Sequence, residues 1–501
     1  MGGYEVPGVY VEEIPHTTSI VQSTVTCLPL FIGYTEKAID QDGRLLARGE
    51  RCAITSFIEY ERCFGQGAPE ILRVMLDVHG RIVTKESYSP FYLHACMRQY
   101  FANGGGVCEI LSLGPFPEAP HAKTLASAIA QLPANPSFTM VAIPDAVSLE
   151  ELPQLQQQLL QYCEQQHHCL AVLDVPYCND ISLNTTVAQF RHHLGQQGLR
   201  HGAAFLPWLA VAIPSTHQFA HLEIKYTPGV ANAWSQYHKA TKLQSTLLRK
   251  RMLESPDMAV SRMIPPSATV IGLFHANDLQ RGVWKLPSHV QIKEVQSLAA
   301  AINDERQASL NIDKDEGKSI NVIRRFAGKG ILLWGGRTLA GNDAEWRYIS
   351  VARTHGFINA SLHRYLAAQH FKANDAATWT AVRESFNQFL LTFWRAGGLA
   401  GNKPEQAFYV KSGLNETMTS EDVAAGRLII DIGLAFLRPA EFMTLRIQHA
   451  VTTDRKRTTP SSRKTAPLPK KTRVRAKTSP LNVAIKNIAA TQAKPPSLEP
   501  S

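Results

Sequence analysis

What the sequence lacks narrows its class first. No run of 18 apolar residues occurs among its 501, so no helix is expected to cross a membrane. The eight cysteines (27, 52, 63, 96, 108, 163, 169 and 178) form no Cys-x-x-Cys pair. That argues against a zinc ribbon or a dithiol redox centre, and dispersed thiols of this kind are expected to be reduced and partly buried. No Gly-x-Ser-x-Gly elbow is present. Asn103-Gly-Gly-Gly precedes a strand-like run, whereas phosphate-cradling glycines follow a strand and open a helix. Ala327-Gly-Lys-Gly lacks the leading glycine and the trailing Ser or Thr of a Walker loop. Cys163 and His167 share a helical face next to His168 and Cys169, but a zinc site needs three or four ligands. No catalytic residue, cofactor or metal is therefore expected. The opening residues have neither the basic nor the apolar region of a secretory signal, and Val6 stands where a myristoylation motif wants Ser or Thr. A chain made in the cytoplasm without a signal peptide is the expectation.

Charge is the next clue. The net charge is +10, yet residues 452–501 hold twelve Lys and Arg against Asp454 and Glu499 alone, so the remainder is balanced. This tail is rich in Lys, Thr, Ser and Pro and contains no aromatic residue, which reads as a disordered basic extension. It could meet phosphate electrostatically, but without aromatic groups for base stacking nucleic acid is not the expected partner.

Elsewhere, apolar residues at 44% suit a globular chain with a sizeable core. Residues 1–20 read as an extended arm: Val9 and Val11 alternate with Tyr10 and Glu12 between Pro7 and Pro15. From Cys27 to about 350, short apolar runs (29–33, 107–113, 138–143, 169–175, 203–213 and 330–334) alternate with helical stretches. Such alternation predicts a mostly parallel α/β sheet, with the Gln-rich stretch 154–166 as a solvent-facing helix. The clearest helix spans 378–394: Trp379, Val382, Phe386, Phe389 and Phe393 line one face, Asn374 or Asp375 caps its start, and Gly397-Gly398 ends it. Strands at 428–434 and 443–447 complete a compact α+β unit that closes near Ala450.

These segments, in order, resemble the tail-sheath family of contractile phage tails and contractile injection systems. The resemblance begins at Pro7-Gly-Val-Tyr-Val-Glu-Glu and runs through Phe101-Ala-Asn-Gly-Gly-Gly, Ile143-Pro-Asp, Leu173-Asp-Val-Pro and Ala203-Ala-Phe-Leu-Pro-Trp. It is densest at Ile264-Pro-Pro-Ser-Ala, Asp278-Leu-Gln-Arg-Gly-Val-Trp-Lys-Leu-Pro, Ile320-Asn-Val-Ile-Arg and Gly330-Ile-Leu-Leu-Trp-Gly-Gly-Arg-Thr. It ends with Gly398-Leu-Ala-Gly, Ala407-Phe-Tyr-Val and Pro439-Ala-Glu-Phe. Gly336 and the Gln-rich segment depart from the family pattern, and the resemblance does not reach 452–501.

The resemblance implies an N-terminal arm (1–20), an α/β sheath domain of subtilisin-like but non-catalytic topology with an outer variable subdomain (21–350), and a C-terminal α+β sheath domain (351–451), followed by the disordered tail. It implies a structural subunit that polymerises helically around an inner tube and contracts to drive that tube through a cell envelope. The expected partners are other sheath subunits or paralogues, the tube protein, and baseplate and terminator proteins. Assembly would occur in the bacterial cytoplasm, yielding a virion tail or a released tail-like particle. Two segments are implied to link neighbouring subunits by strand addition: Gly8, Val9, Tyr10, Val11, Glu12, Glu13 and Ile14, and Phe442, Met443, Thr444, Leu445, Arg446, Ile447 and Gln448. The rival readings are a nucleic-acid-binding structural protein acting through the tail, and a hydrolase-like α/β enzyme.

Overall fold

A computed structural model of the chain describes residues 21–450, apart from 78, 213–218, 227–236, 255–259, 288–289, 369–372 and 438–441; at 249–254 and 442–450 it describes the backbone. The arm Gly8–Ile14 and the basic tail lie outside the described residues.

An eight-stranded sheet carries the first half of the fold. Its six inner strands run Ile320–Phe326, Gly202–Leu206, Leu170–Asp174, Met140–Ala142, Pro29–Gly33 and Cys108–Ser112 across the sheet, all parallel. Gly330–Trp334 and Arg51–Ile54 close the two edges antiparallel. The inner strands are apolar on both sides because helices cover both sides. Phe31, Ile110, Met140, Val172 and Phe205 face one core, shared with helices Phe57–Phe64, Leu93–Ala102 and Ser267–Arg281. Leu30, Ile32, Leu111, Val141, Ala171 and Leu173 face the other, shared with Ala122–Ala130, Leu152–Gln166 and Leu183–His193. Successive residues alternate between the cores, as the pleat of a strand requires.

Two sequence expectations change here. The apolar run 203–213 is two strands, not one: it divides at Pro207, and Leu209–Ala212 joins a second sheet. Proline has no N–H to give to a central ladder, so an interior strand ends before it. The Gln-rich helix is also less exposed than its composition suggests. Leu155, Leu159, Leu160 and Cys163 are buried, and Gln156 donates from Nε2 to the Asp174 carbonyl at 2.8 Å. The sheet beneath this helix is apolar, so its leucines turn inward and its other glutamines turn out.

The second sheet has seven strands of mixed direction, in the order 238–239, 221–226, 71–76, 82–88, 261–264, 209–212 and 295–298. Hence "mostly parallel" holds for the first sheet alone. The third sheet is antiparallel: Phe408–Lys411, Arg427–Ala435 and Phe442–Ala450. It packs on helices Ile349–Ala367 and Ala376–Arg395 through Leu362, Leu366, Phe386, Phe389, Leu390, Ile430 and Ile432. The Asp375 side chain accepts from the Thr378 N–H at 2.8 Å, and Gly397, at φ 85°, ends the second helix in the left-handed region.

Several of the quoted motifs act as brackets between layers. The buried carboxylate of Asp145 accepts three backbone N–H groups, from Tyr34 at 2.7 Å, Tyr92 at 2.5 Å and Leu93 at 2.9 Å, and so caps helix Leu93–Ala102 from outside. Asp174 does the same for helix Ser267–Arg281, accepting from the Ser267 N–H at 2.8 Å and Oγ at 2.6 Å. Burial pushes the Asp145 carboxyl up to about 6 and the Asp174 carboxyl up to about 7, against the pull of those hydrogen bonds. The glycines of Asn103-Gly-Gly-Gly pack rather than bind. A Cβ on Gly105 would meet the Tyr100 ring at 2.4 Å, and one on Gly106 the His275 ring at 2.2 Å.

Candidate subunit interface

The C-terminal sheet is built as a surface that can be extended. Strand Arg427–Ala435 lies in its centre because nearly every residue there is apolar and buried: Leu428, Ile430, Ile432 and Leu434 are all 3% exposed or less. Phe408–Lys411 borders it on one side, pairing Tyr409 with Gly433 and Lys411 with Asp431. Gly433 is required there, since a Cβ would meet the Tyr409 ring at 2.0 Å.

Phe442–Ala450 borders the other side, antiparallel, from Ala435↔Phe442 to Arg427↔Ala450. This register sets Met443, Leu445 and Ile447 opposite Leu434, Ile432 and Ile430, and Thr444, Arg446 and Gln448 opposite Gly433, Asp431 and Ile429. Of the fourteen residues expected to link subunits, the seven from Phe442 to Gln448 therefore lie together on one edge strand, and Gly8–Ile14 lie outside the described residues. In the single chain that strand rests on its own sheet. Among the described residues nothing pairs with its outer edge, so its alternate N–H and C=O groups are open to a further strand.

Sequence spacing did not show how this unit is fastened to the rest. Arg353, on helix Ile349–Ala367, forms a bidentate pair with Asp278 of helix Ser267–Arg281, at 3.0 and 2.6 Å. The same guanidinium donates to the Thr26 carbonyl at 3.1 Å. Both side chains are almost fully buried, 4% and 1% exposed, and a planar fork fits a carboxylate in a way a lysine could not. Burial lifts the neighbouring Cys27 thiol to about 12, against the pull of Arg353. Asp278 and Arg353 are 75 positions apart, so only the fold brings them together.

Known proteins place this arrangement. Residues 342–450 match the phage tail sheath C-terminal domain, a span that contains the whole three-stranded sheet. The sheath of an extracellular contractile injection system, PVC, solved in the contracted state, is 25% identical; the alignment covers 89% of this chain and 98% of that one, with a TM-score of 0.57. The chain is similar to tail-sheath proteins over most of its length. The contracted helical sheath of the anti-feeding prophage aligns similarly: 25% identity, 89% and 99% coverage, TM-score 0.58. A protein of Pseudomonas aeruginosa named as a prophage major tail sheath protein is 25% identical over 194 residues, which is 38% of this chain and 46% of that protein. The chain thus spans less than half of that relative's length.

These relatives are sheath proteins of a prophage and of contractile particles. Ser267 is fully buried, and its Oγ donates to the Asp174 carboxylate that caps its helix. Among the described residues no helix is long and apolar enough to cross a membrane, and no cluster of His, Cys, Asp and Glu could hold a metal.

Proposed function

We propose that this chain is the repeating subunit of a contractile sheath, which polymerises helically around an inner tube and shortens to drive that tube through a cell envelope. The observation that supports it most is that Phe442–Ala450 borders its sheet with no strand on its outer side among the described residues, within the segment that matches the sheath C-terminal domain. Subunits join by strand addition there. Gly8–Ile14 of one chain lies along the edge strand of another, and main-chain hydrogen bonds supply strength while alternating side chains set the register. A seven-residue arm making four or five such bonds contributes roughly 4–5 kcal/mol at about 1 kcal/mol each. Exchanging 442–450 between chains preserves its pairing with 427–435, because the intermolecular bonds are the same as the intramolecular ones.

A head-to-tail contact of this kind does not close on itself and generates a helical tube. Each subunit makes it at several places, so multivalency makes the array hard to dissociate although each strand is held modestly. The extended and contracted arrays are two packings of one chain, and the extended one is trapped kinetically until a baseplate releases it. The work comes from new contacts between subunit bodies, so firing needs no nucleotide. The tube, baseplate and terminator are the partners of this reading. The α/β part corresponds to the subtilisin-like sheath domain without its chemistry, and 452–501 acts as a solvated basic extension.

Deleting residues 1–14 tests the reading. The shortened chain is expected to fold with an unchanged thermal transition and to form no tubes by electron microscopy, whereas the full chain forms them. Long tubes from the deletion variant would refute the arm's role.

A further inference from the structure

The arm must be fastened somewhere, and residues 21–28 show where. Val21 is 4% exposed and belongs to the core of the C-terminal unit, beside Ile358, Leu362 and Val283. Three residues on, the Thr24 N–H donates to Ser361 Oγ at 3.0 Å, and the two hydroxyls lie 3.1 Å apart. Ser361 already gives its proton to the Phe357 carbonyl at 2.8 Å, so Thr24 Oγ1 is the donor in that second contact. Both acceptor positions of one buried serine are thus filled by one threonine. Next, the Thr26 carbonyl accepts both from Arg353 at 3.1 Å and from the Thr139 hydroxyl, on the side of the large sheet, at 3.2 Å. Thr26 is thus the first residue tied to both units, and the chain then enters the large sheet: Leu28 N–H donates to Thr139 Oγ1 at 3.0 Å, and Pro29–Gly33 follows as an inner strand.

We infer that residues 21–24 form a mechanical anchor that delivers a pull on the N-terminal arm to helix Ile349–Ala367 of the C-terminal unit before it reaches the α/β sheet. Val21, Thr24 and Ser361 are positioning residues in this scheme. A force entering at residue 20 meets the Val21 core contact and the Thr24–Ser361 pair before it meets the sheet. The arm and the edge strand 442–450 are then both rooted in one small unit. The linkage between subunits runs from one C-terminal unit to the next, and the α/β bodies hang from it through Arg353 and Asp278. Because Val21 is held, only 15–20 can pay out, about 20 Å at roughly 3.3 Å per residue. The functional meaning of the anchor rests on the sheath reading, but its existence is a property of the single chain.

Optical-tweezers pulling of the full chain tests it, with one handle at residue 1 and the other on Leu414→Cys, an exposed loop position. The native thiols are all buried, so the new one is labelled selectively. The first opening event is expected to release about five residues, as far as Thr26, roughly 18 Å of chain at about 3.6 Å per residue. At fixed force, Ser361→Ala is expected to speed that event on the order of ten-fold for each hydrogen bond lost. Thr139→Val, which removes the tie on the sheet side, is expected to leave it unchanged. Thr24→Val is a milder second variant that removes one hydroxyl and keeps the experiment decisive should Ser361→Ala fold poorly. An opening rate insensitive to Thr24 and Ser361, or sensitive to Thr139, would overturn the anchor. A wild-type chain that showed the anchor but built no tubes would overturn the sheath reading alone.

Discussion

Replacing Arg353 by methionine removes the guanidinium that joins two helices and the N-terminal strap. The Asp278 carboxylate left behind has a side chain only 1% exposed, with both oxygens formerly bonded to Arg353 at 3.0 and 2.6 Å. Removing one partner of a buried pair typically costs about 3–5 kcal/mol, because the other charge stays in a place water cannot reach. The Thr26 carbonyl loses a donor at 3.1 Å as well, worth about 1 kcal/mol more. Arg353→Met should therefore lower the urea midpoint by an amount equivalent to about 4–6 kcal/mol. Replacing both residues, as Arg353→Met with Asp278→Leu, leaves no unpaired charge and is expected to recover most of that loss. Equilibrium denaturation followed by tryptophan fluorescence measures all three proteins. A double variant no more stable than Arg353→Met would refute the argument that desolvation of Asp278 dominates.

Two further substitutions probe the packing and the charge balance. Gly272→Ala places a Cβ 2.5 Å from the Tyr100 carbonyl, so helices Leu93–Ala102 and Ser267–Arg281 must separate. A net loss of about 1–2 kcal/mol is expected in the same urea assay, after the helix-propensity gain of alanine is set against the overlap. A variant as stable as the parent would contradict the close approach. Burial, with Arg200 and His167 nearby, lowers His355 to about 4. The unfolded chain then binds this proton below pH 6.5 and the folded chain does not, so stability is lost as pH falls from 6.5 toward 4. His355→Gln removes that loss and should gain on the parent as pH drops, by about 2 kcal/mol at pH 5. Parallel stability curves for parent and variant between pH 7 and 5 would count against it.

The elements legible in the sequence were those governed by local rules. Helix Ala376–Arg395 announces itself because its buried residues recur at three- and four-residue steps between an Asp cap and a glycine stop. Five of the six inner parallel strands are legible because burial on both faces makes them continuous apolar runs, whereas Ile320–Phe326, with Asn321, Arg324 and Arg325, is not. Strands 71–76, 82–88 and 221–226 escaped notice. Each has one open face and interleaves polar residues, as in Leu72-Arg73-Val74, and their partners lie far away in sequence. The split at Pro207 was visible as a proline, but the change of sheet that follows it was not.

The candidate interface divides in the same way. Alternation at 443–447 indicates a strand by local pattern alone, and its place at an edge depends on what lies beside it. Nothing in the sequence pairs Arg353 with Asp278 or Thr24 with Ser361, separated by 75 and 337 positions. Composition, periodicity and capping residues determined which stretches are helices and strands, because those preferences act within a few residues of chain. Which strand stands at an edge, which carboxylate is buried beside which guanidinium, and which hydroxyl meets Thr24 were decided by the tertiary structure. Those outcomes depend on contacts between distant segments that exist only once the layers have packed.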